Sequence, residues 1–408
     1  MSKVKIIPDL RFPEFENEGE WDKPKLSSVS DVIMGSSPSS LSYNENKIGL
    51  PLLQGNADIK NRLSTPRIYT TEITKECEIG DILLSVRAPV GTVAKSLHNA
   101  CIGRGISALS AKKPNSQEYI YQWLFSYESS WAKISQGGTF DAVNSDDIKN
   151  LLVPIPKPKE QQKIASCLSS LDALITAQSE KIEQLKLHKK GLMQNLFPQE
   201  GEKVPKYRFK EFENDGEWQE KKLGDMSEIG RGKSKHRPRD ESSLFGGIYP
   251  FIQTGDIRKA NLYLTNYTQT YSEKGLKQSK LWDENTLCIT IAANIAETAI
   301  LKIKACFPDS VIGIIPKKGI TDVLFINYLI ENFKQQIQSF SQGMAQDNLN
   351  QEKLSNLIFL FPLIQEQQKI ASCLSSLDAL ITAQSEKIEQ LKLHKKGLMQ
   401  GLFPKINE

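Results

Sequence analysis

The sequence predicts an α+β protein: two dissimilar α/β regions separated by two long helices that pair as an antiparallel coiled coil, in a pseudo-twofold, circular arrangement. Three observations predict it. Residues 160–194, EQQKIASCLSSLDALITAQSEKIEQLKLHKKGLMQ, recur letter for letter at 366–400. A shorter pair, RFPEFENEGEW at Arg11–Trp21 and RFKEFENDGEW at Arg208–Trp218, leads into each intervening stretch. Those stretches, 22–159 and 219–365, share little sequence but follow one plan of turns, short β-type runs and a closing helix.

Taken in order, the chain divides into a lead-in segment (1–21), a first variable domain (22–159), a first rod (160–198), a second variable domain (199–365, with its own lead-in at 204–218) and a second rod (366–408). The lead-in that would follow the second rod stands instead at the N-terminus. A pseudo-twofold therefore predicts that residues 1–21 pack near the end of the second rod, bringing the termini together.

Within the first variable domain, DILLSV (81–86) and ISALSA (106–111) read as strands, and Ile120, Trp123, Leu124, Tyr127 and Trp131 mark a closing helix. The second domain repeats this with LCITIA (287–292), VIGIIPK (311–317) and a helix through Phe325, Tyr328, Leu329, Phe333 and Ile337. Each begins with a turn-rich stretch in which Gln54–Gly55 and Gln253–Thr254–Gly255 hold similar places. After each closing helix comes a Ser-Gln-Gly loop (135–156 and 341–362), read as either plain turn chemistry or a backbone-contacting loop beside the rod.

The repeated segment has the spacing of a long amphipathic helix. Ile164, Leu168, Leu171, Ile175, Gln178, Ile182, Leu185, Lys189, Leu192 and Leu196 follow alternating four- and three-residue steps, with eight of the ten apolar. The same seam in the second copy runs Ile370, Leu374, Leu377, Ile381, Gln384, Ile388, Leu391 and Leu398. Pro156 and Pro158 mark the start and Pro198 the end, giving a rod of roughly 50 Å. A seam of that length needs cover, and its duplicate is the nearest candidate. An antiparallel pairing places Gln178 and Gln384 near the midpoint, where a polar seam residue sets register at some cost in stability. It also holds Cys167 and Cys373 far apart.

The 408 residues carry a formal charge of +4, with 39% hydrophobic and 25% charged residues, a composition of soluble globular domains. No apolar run approaches bilayer length and MSKVKIIPDLRF is no signal peptide, so a cytoplasmic, non-membrane protein is expected. Six cysteines without a C-x-x-C pair argue against a zinc or redox site. GRGKS (230–234) lacks the preceding glycine of a phosphate-binding loop, since position 227 is Ser227. The four histidines have no metal-ligand or triad setting, and no N/D-P-P-Y/F tetrapeptide of an amino-methyltransferase occurs. The chain reads as non-catalytic and binding no cofactor or metal of its own.

The strongest charge signal is GRGKSKHRPRD (230–240), where Arg231, Lys233, Lys235, Arg237 and Arg239 put five cations into nine residues, suited to phosphates or the O6/N7 edge of guanine. Arg258 adds to them. The matching stretch of the first domain is polar rather than basic, so Arg62, Arg67, Arg87 and Arg104 are its candidate nucleic-acid contacts.

Two variable domains, rods running from EQQKIA to LKLHKKGLMQ and LFP, and RF-EFE lead-ins together resemble the specificity subunit of a type I restriction-modification system, over the whole chain. The resemblance implies that each variable region is a target recognition domain reading half of a split double-stranded DNA sequence. It implies rods that set the gap and dock two copies of a methyltransferase subunit. S-adenosylmethionine would belong to those partners, and ATP with Mg to separate restriction subunits that translocate and cleave. Two other readings stay open: a coiled-coil scaffold joining two protein partners without DNA, and the recognition subunit of a related system with fused nuclease and methyltransferase.

Overall fold

A computed structural model describes residues 6–135, 142–292, 294–342 and 349–404. The chain forms two compact units, Met1–Ala177 with Ile388–Glu408, and Gln178–Lys387, so that each unit holds part of both rods. The rods are single helices, Pro158–Leu196 and Ile364–Leu402, of 39 residues each, or about 58 Å. Pro158 opens the first rod in the helical turn where its missing N–H costs nothing, with Glu160 in the positive N-terminal turn.

In the first unit, one sheet runs Ser30–Met34, Ile106–Ala111, Ile82–Ser85, Val93–Lys95, Leu63–Ser64 and Ile59–Lys60. A second runs Tyr43–Asn44, Ile68–Thr70, Leu50–Leu53, Ala100–Ile102 and Glu76–Cys77. Leu53, Leu83, Ala94, Ile102 and Ile106 fill a core of their own. The helix Gln117–Ser135 lays Tyr119, Trp123, Leu124 and Trp131 into a second core, together with Ile164 and Leu168 of the first rod and Met399, Leu402 and Phe403 of the second. The rods are therefore part of the domain core.

The second unit repeats this scheme. Its larger sheet runs Ser227–Arg231, Val311–Pro316, Leu287–Thr290, Thr298–Leu301 and Tyr263–Leu264; its smaller runs Gln269–Tyr271, Phe245–Phe251, Ala305–Cys306 and Leu281–Trp282. The helix Val323–Asn332, capped by the Asp322 carboxylate on the N–H groups of Leu324 and Phe325, packs on Phe197 and Met193 of the first rod and Ile370 and Leu374 of the second.

Two ion pairs fix how the rods meet. In the first unit Lys395 Nζ lies 2.7 Å from Asp172 Oδ1, and in the second Lys189 Nζ lies 2.9 Å from Asp378 Oδ1. With Met399 and Phe403 beside Leu168 and Ile164, and Met193 and Phe197 beside Leu374 and Ile370, the rod segments run antiparallel within each unit. Every seam position expected from the spacing is buried or half-buried. The register is nevertheless not carried by Gln178 against Gln384. The Lys189–Asp378 pairing sets Gln384 level with Glu183, about 7.5 Å along the rod from Gln178, and the Oε1 of each glutamine has no partner among the described residues. A charged pair specifies register more sharply than an amide because a slip leaves Lys395 buried without a counter-charge.

The lead-ins are clamps. Arg11 holds Glu160 through Nε–Oε1 and Nη2–Oε2 contacts of 2.8 Å each, and Leu10 N–H donates to Gly401 O at 2.8 Å. Arg208 holds Glu366 at 2.9 and 2.7 Å, and Tyr207 N–H donates to Asn195 O at 2.8 Å. The N-terminal segment thus lies against the end of the second rod. In both clamps the hydrogen bond to the glutamate raises the arginine pKa, outweighing burial, which lowers it. Cys167 and Cys373 are free thiols. Of the stretches 135–156 and 341–362, residues 136–141 and 343–348 fall outside the described residues, while the remainder carries the short helices Ser145–Lys149 and Gln351–Asn356; no described helix is long and apolar enough to cross a membrane.

Candidate nucleic-acid interface

In each unit the same three segments meet at one edge: the turn after the first strand, the turn that opens with a glutamine, and the turn between the last two strands. In the first unit Gly35 N–H donates to Ile106 O at 2.9 Å and Ser36 N–H to Ile102 O at 2.9 Å. Gly103 N–H donates to Leu53 O at 2.8 Å, just ahead of Gln54. The contact is backbone on backbone: a Cβ on Gly35 would lie 2.2 Å from Gly103 O, and one on Gly105 2.1 Å from Gln54 O. In the second unit Gly232 N–H donates to Val311 O at 2.9 Å and Lys233 N–H to Phe307 O at 3.1 Å, and a Cβ on Gly232 would lie 2.2 Å from Pro308 O. Gly35→Ala is expected to destabilise the first unit by about 1–3 kcal/mol through this overpacking, read as a lowered unfolding midpoint in denaturant.

The glutamine turns are held alike. Gln54 N–H donates to Asp58 Oδ2 at 2.8 Å, and Gln253 N–H to Asp256 Oδ2 at 2.9 Å. In the first unit Arg67 Nε backs Asp58 Oδ1 at 2.9 Å, and Asn56 Nδ2 donates to Pro89 O at 2.7 Å, tying in the segment that starts with exposed Arg87. Val86 N–H reaches Gly105 O at 2.9 Å. The segments that carry Arg67, Arg87 and Arg104 therefore meet at this edge.

Arg62 does not. Its guanidinium is clamped by Glu128 and lies 4.5 Å from the Phe125 ring, tying the Val93–Lys95 strand to the closing helix. Paired with a carboxylate and stacked on a half-buried ring, it stands apart from the three-turn edge.

The basic stretch of the second unit is partly strand and partly a pinned loop. Arg231 ends the Ser227–Arg231 strand, and its Nε donates to Asp309 O at 2.5 Å. Arg239 Nη2 meets Asp309 Oδ2 at 2.7 Å, and Arg237 Nη1 donates to Ser234 O and His236 O at 2.8 Å each. Lys233 and Lys235 are exposed, and among the described residues their ammonium groups have no carboxylate partner. The loop's far end is anchored by Glu241, bound by Lys274, Ser243 and His236, and the Lys274 contact first of all holds its carboxyl down to about 2. Arg258 stands exposed on the Thr254–Lys259 helix behind Gln253.

Sequence reading set Gln54 and Gln253 in equivalent turns without joining them to this edge, and it missed Asp309. The signal for the glutamines was the backbone-capping aspartate three or four residues on in both domains; Asp309 gave none, because its arginine partners are distant in sequence.

Rod surfaces form a second candidate site. The register brings exposed Leu174 level with exposed Leu393 in the first unit, and Leu187 level with Leu380 in the second. Between the rods and the closing helix of the first unit lies a cleft of ≈ 1310 Å³ lined by Trp123, Tyr127, Lys392, Lys396 and Met399. Buried Lys395 faces it, its pKa lowered by desolvation against the opposing pull of Asp172.

The described residues hold no cluster of His, Cys, Asp and Glu fit for a metal ion. Comparison with known proteins bears on the whole arrangement. The family model described as Type I restriction modification DNA specificity domain matches twice, over residues 18–187 and 215–393. A putative type I restriction enzyme MjaX specificity subunit of Methanocaldococcus jannaschii is 34% identical over 180 residues, covering 43% of this chain and 42% of that protein. The MjaIX specificity subunit of the same organism is 28% identical over 260 residues, 59% of each chain, so the match spans less than two thirds of either relative. The EcoBI specificity subunit of Escherichia coli is 21% identical over 94% of this chain and 85% of its own. Among solved structures, the type I restriction-modification S subunit from M. genitalium shares the fold with a TM-score of 0.64 at 16% identity, covering 98% of this chain and all of that one. With the family model spanning both variable domains and most of both rods, the chain belongs to the type I restriction-modification DNA specificity family.

Proposed function

We propose that this chain is the non-catalytic DNA-recognition subunit of a type I restriction-modification complex, each variable domain reading one half of a bipartite duplex target. The observation that carries this reading is the pairing of sameness and difference. The rods are identical from 160–194 to 366–400, and the arginine–glutamate clamps and lysine–aspartate pairs repeat, while the three-turn edges share a backbone frame and differ in side chains. Identical surfaces suit two copies of one partner, and dissimilar edges suit two different sequences.

The partners in this reading are two methyltransferase subunits, seated on the rods, where Leu174 and its repeat Leu380, and Leu187 and its repeat Leu393, are exposed in both copies. S-adenosylmethionine belongs to them, and ATP with Mg to restriction subunits; all act in the cytoplasm. The antiparallel rods act as the ruler between half-sites. Two separated half-sites raise specificity because mismatches cost about 1–3 kcal/mol each and distant positions add.

Exchanging residues 22–159 for the corresponding domain of another family member tests this. Sequencing of methylated adenines is expected to show one half of the target changed, with the other half and the gap intact. Changes in both halves, or complexes whose DNA binding is insensitive to salt, would sink the proposal in favour of a protein scaffold.

A further inference from the structure

The edges of the two units can be superposed by their hydrogen bonds. Gly35 corresponds to Gly232, because each donates to the first residue of the last strand, Ile106 or Val311. Ser36 corresponds to Lys233, each donating to the residue that precedes the last turn, Ile102 or Phe307. That correspondence places Gly103-Arg104-Gly105 opposite Pro308-Asp309-Ser310, so one backbone position at the tip of the turn carries a cation in one unit and a carboxylate in the other.

The position is rigid. In the first unit Gly103 N–H bonds Leu53 O, Ile106 N–H bonds Gly103 O at 3.0 Å, Arg104 N–H bonds Ser37 Oγ at 3.2 Å, and there is no room for a side chain at Gly105. Arg104 is exposed, and among the described residues its side chain meets Ser37 alone, Nε donating to Oγ at 3.4 Å. Arg62 and Arg67 are each neutralised by a carboxylate; Arg104 has none among the described residues. Its two Nη groups have no partner among the described residues and are presented from a fixed backbone, the condition for bidentate recognition. In the second unit Asp309 Oδ2 is held by Arg239 while Oδ1 has no partner among the described residues; Arg231 Nε donates to Asp309 O and Lys233 N–H to Phe307 O, so cations flank the turn. A lone carboxylate at the centre of a cationic patch repels phosphate, so it is misplaced for backbone binding. It suits accepting a hydrogen bond from a base amino group while the flanking cations hold the strands.

Resting on the DNA-recognition reading above, we propose that this turn position is the base-reading position of each unit. Arg104 donates to the O6 and N7 of a guanine in one half-site, and Asp309, oriented by Arg239, accepts from the N4 amino group of a cytosine in the other. Lys233 and Lys235 contact phosphate.

The test uses the full chain co-expressed with its methyltransferase subunits, with methylated positions read across a genome by single-molecule sequencing. Arg104→Ala is expected to relax one guanine position of one half-site, and Asp309→Ala one cytosine position of the other half, leaving the gap unchanged. Binding of purified complexes to duplexes varied at that single position is expected to lose about 5- to 150-fold of its discrimination. Lys233→Ala is expected to weaken all sequences equally and to lower the salt slope by about one. Should Arg104→Ala instead weaken every duplex equally and leave the methylated motif intact, the arginine is a phosphate contact and the assignment is overturned. If a variant abolishes methylation, the binding series decides by the same criterion. A wild-type complex that methylates no split motif refutes the DNA-recognition reading itself, a result distinct from an unchanged motif in Arg104→Ala.

Discussion

Arg208→Ala is expected to destabilise the second unit by about 3–5 kcal/mol in denaturant unfolding. Arg208 and Glu366 are 8% and 1% exposed, and the carboxylate is shared with Trp218 Nε1 at 3.3 Å. Removing the guanidinium leaves Glu366 charged inside the protein with one indole N–H for company. Arg208→Lys should restore only part of the loss, because an ammonium cannot make both in-plane contacts and also reach Gly216 O, which Nη1 now does at 2.6 Å. Arg11→Ala is the parallel case in the first unit, through Glu160. Replacing both partners by apolar residues of similar volume should be much milder than either single change, since it leaves no stranded charge. A loss below 1 kcal/mol for Arg208→Ala would show that the clamp is not a stabilising element.

Phe197→Ala carries the second large expected effect, about 3–5 kcal/mol. Its fully buried ring lies 5.5 Å from that of Phe325 and 6.1 Å from that of Trp218, just past the last turn of the first rod. Phe403 plays the same part in the first unit, 5.6 Å from Tyr119. Leu187→Ala is the control: the side chain is 61% exposed, and its truncation should change stability by no more than about 0.5 kcal/mol. Equal effects at Phe197 and Leu187 would mean that the rod end is a tether to the domain rather than part of its core.

These two positions show what a one-dimensional pattern conveys. Leu187 and Phe197 both lie in the duplicated stretch, and the four- and three-residue steps alone put Leu187 off the seam. The same steps stop at Leu196 and say nothing of Phe197, whose burial depends on a helix more than a hundred residues away. Strands such as Ile106–Ala111 were legible because they form a short run of small and apolar residues, whereas Tyr43–Asn44 and Leu50–Leu53 lie within a polar, turn-rich stretch and gain their pairing from distant neighbours. The arginine candidates divided similarly. All were selected by charge, and only tertiary contacts separated Arg62, spent on Glu128 and Phe125, from Arg104, which has no carboxylate partner among the described residues.

The sequence by itself determined the architecture: two rods, two variable domains, two lead-ins and their circular order, because exact repetition and helical period are properties of the chain read end to end. It also determined which surfaces must be alike. The tertiary structure alone decided the register of the rods, through Asp172 with Lys395 and Asp378 with Lys189, and the placing of Arg104 and Asp309 at one equivalent turn. Such choices depend on which charges lose their water and which partner stands within about 3 Å when they do, and these distances arise only once residues far apart in the chain have been packed together.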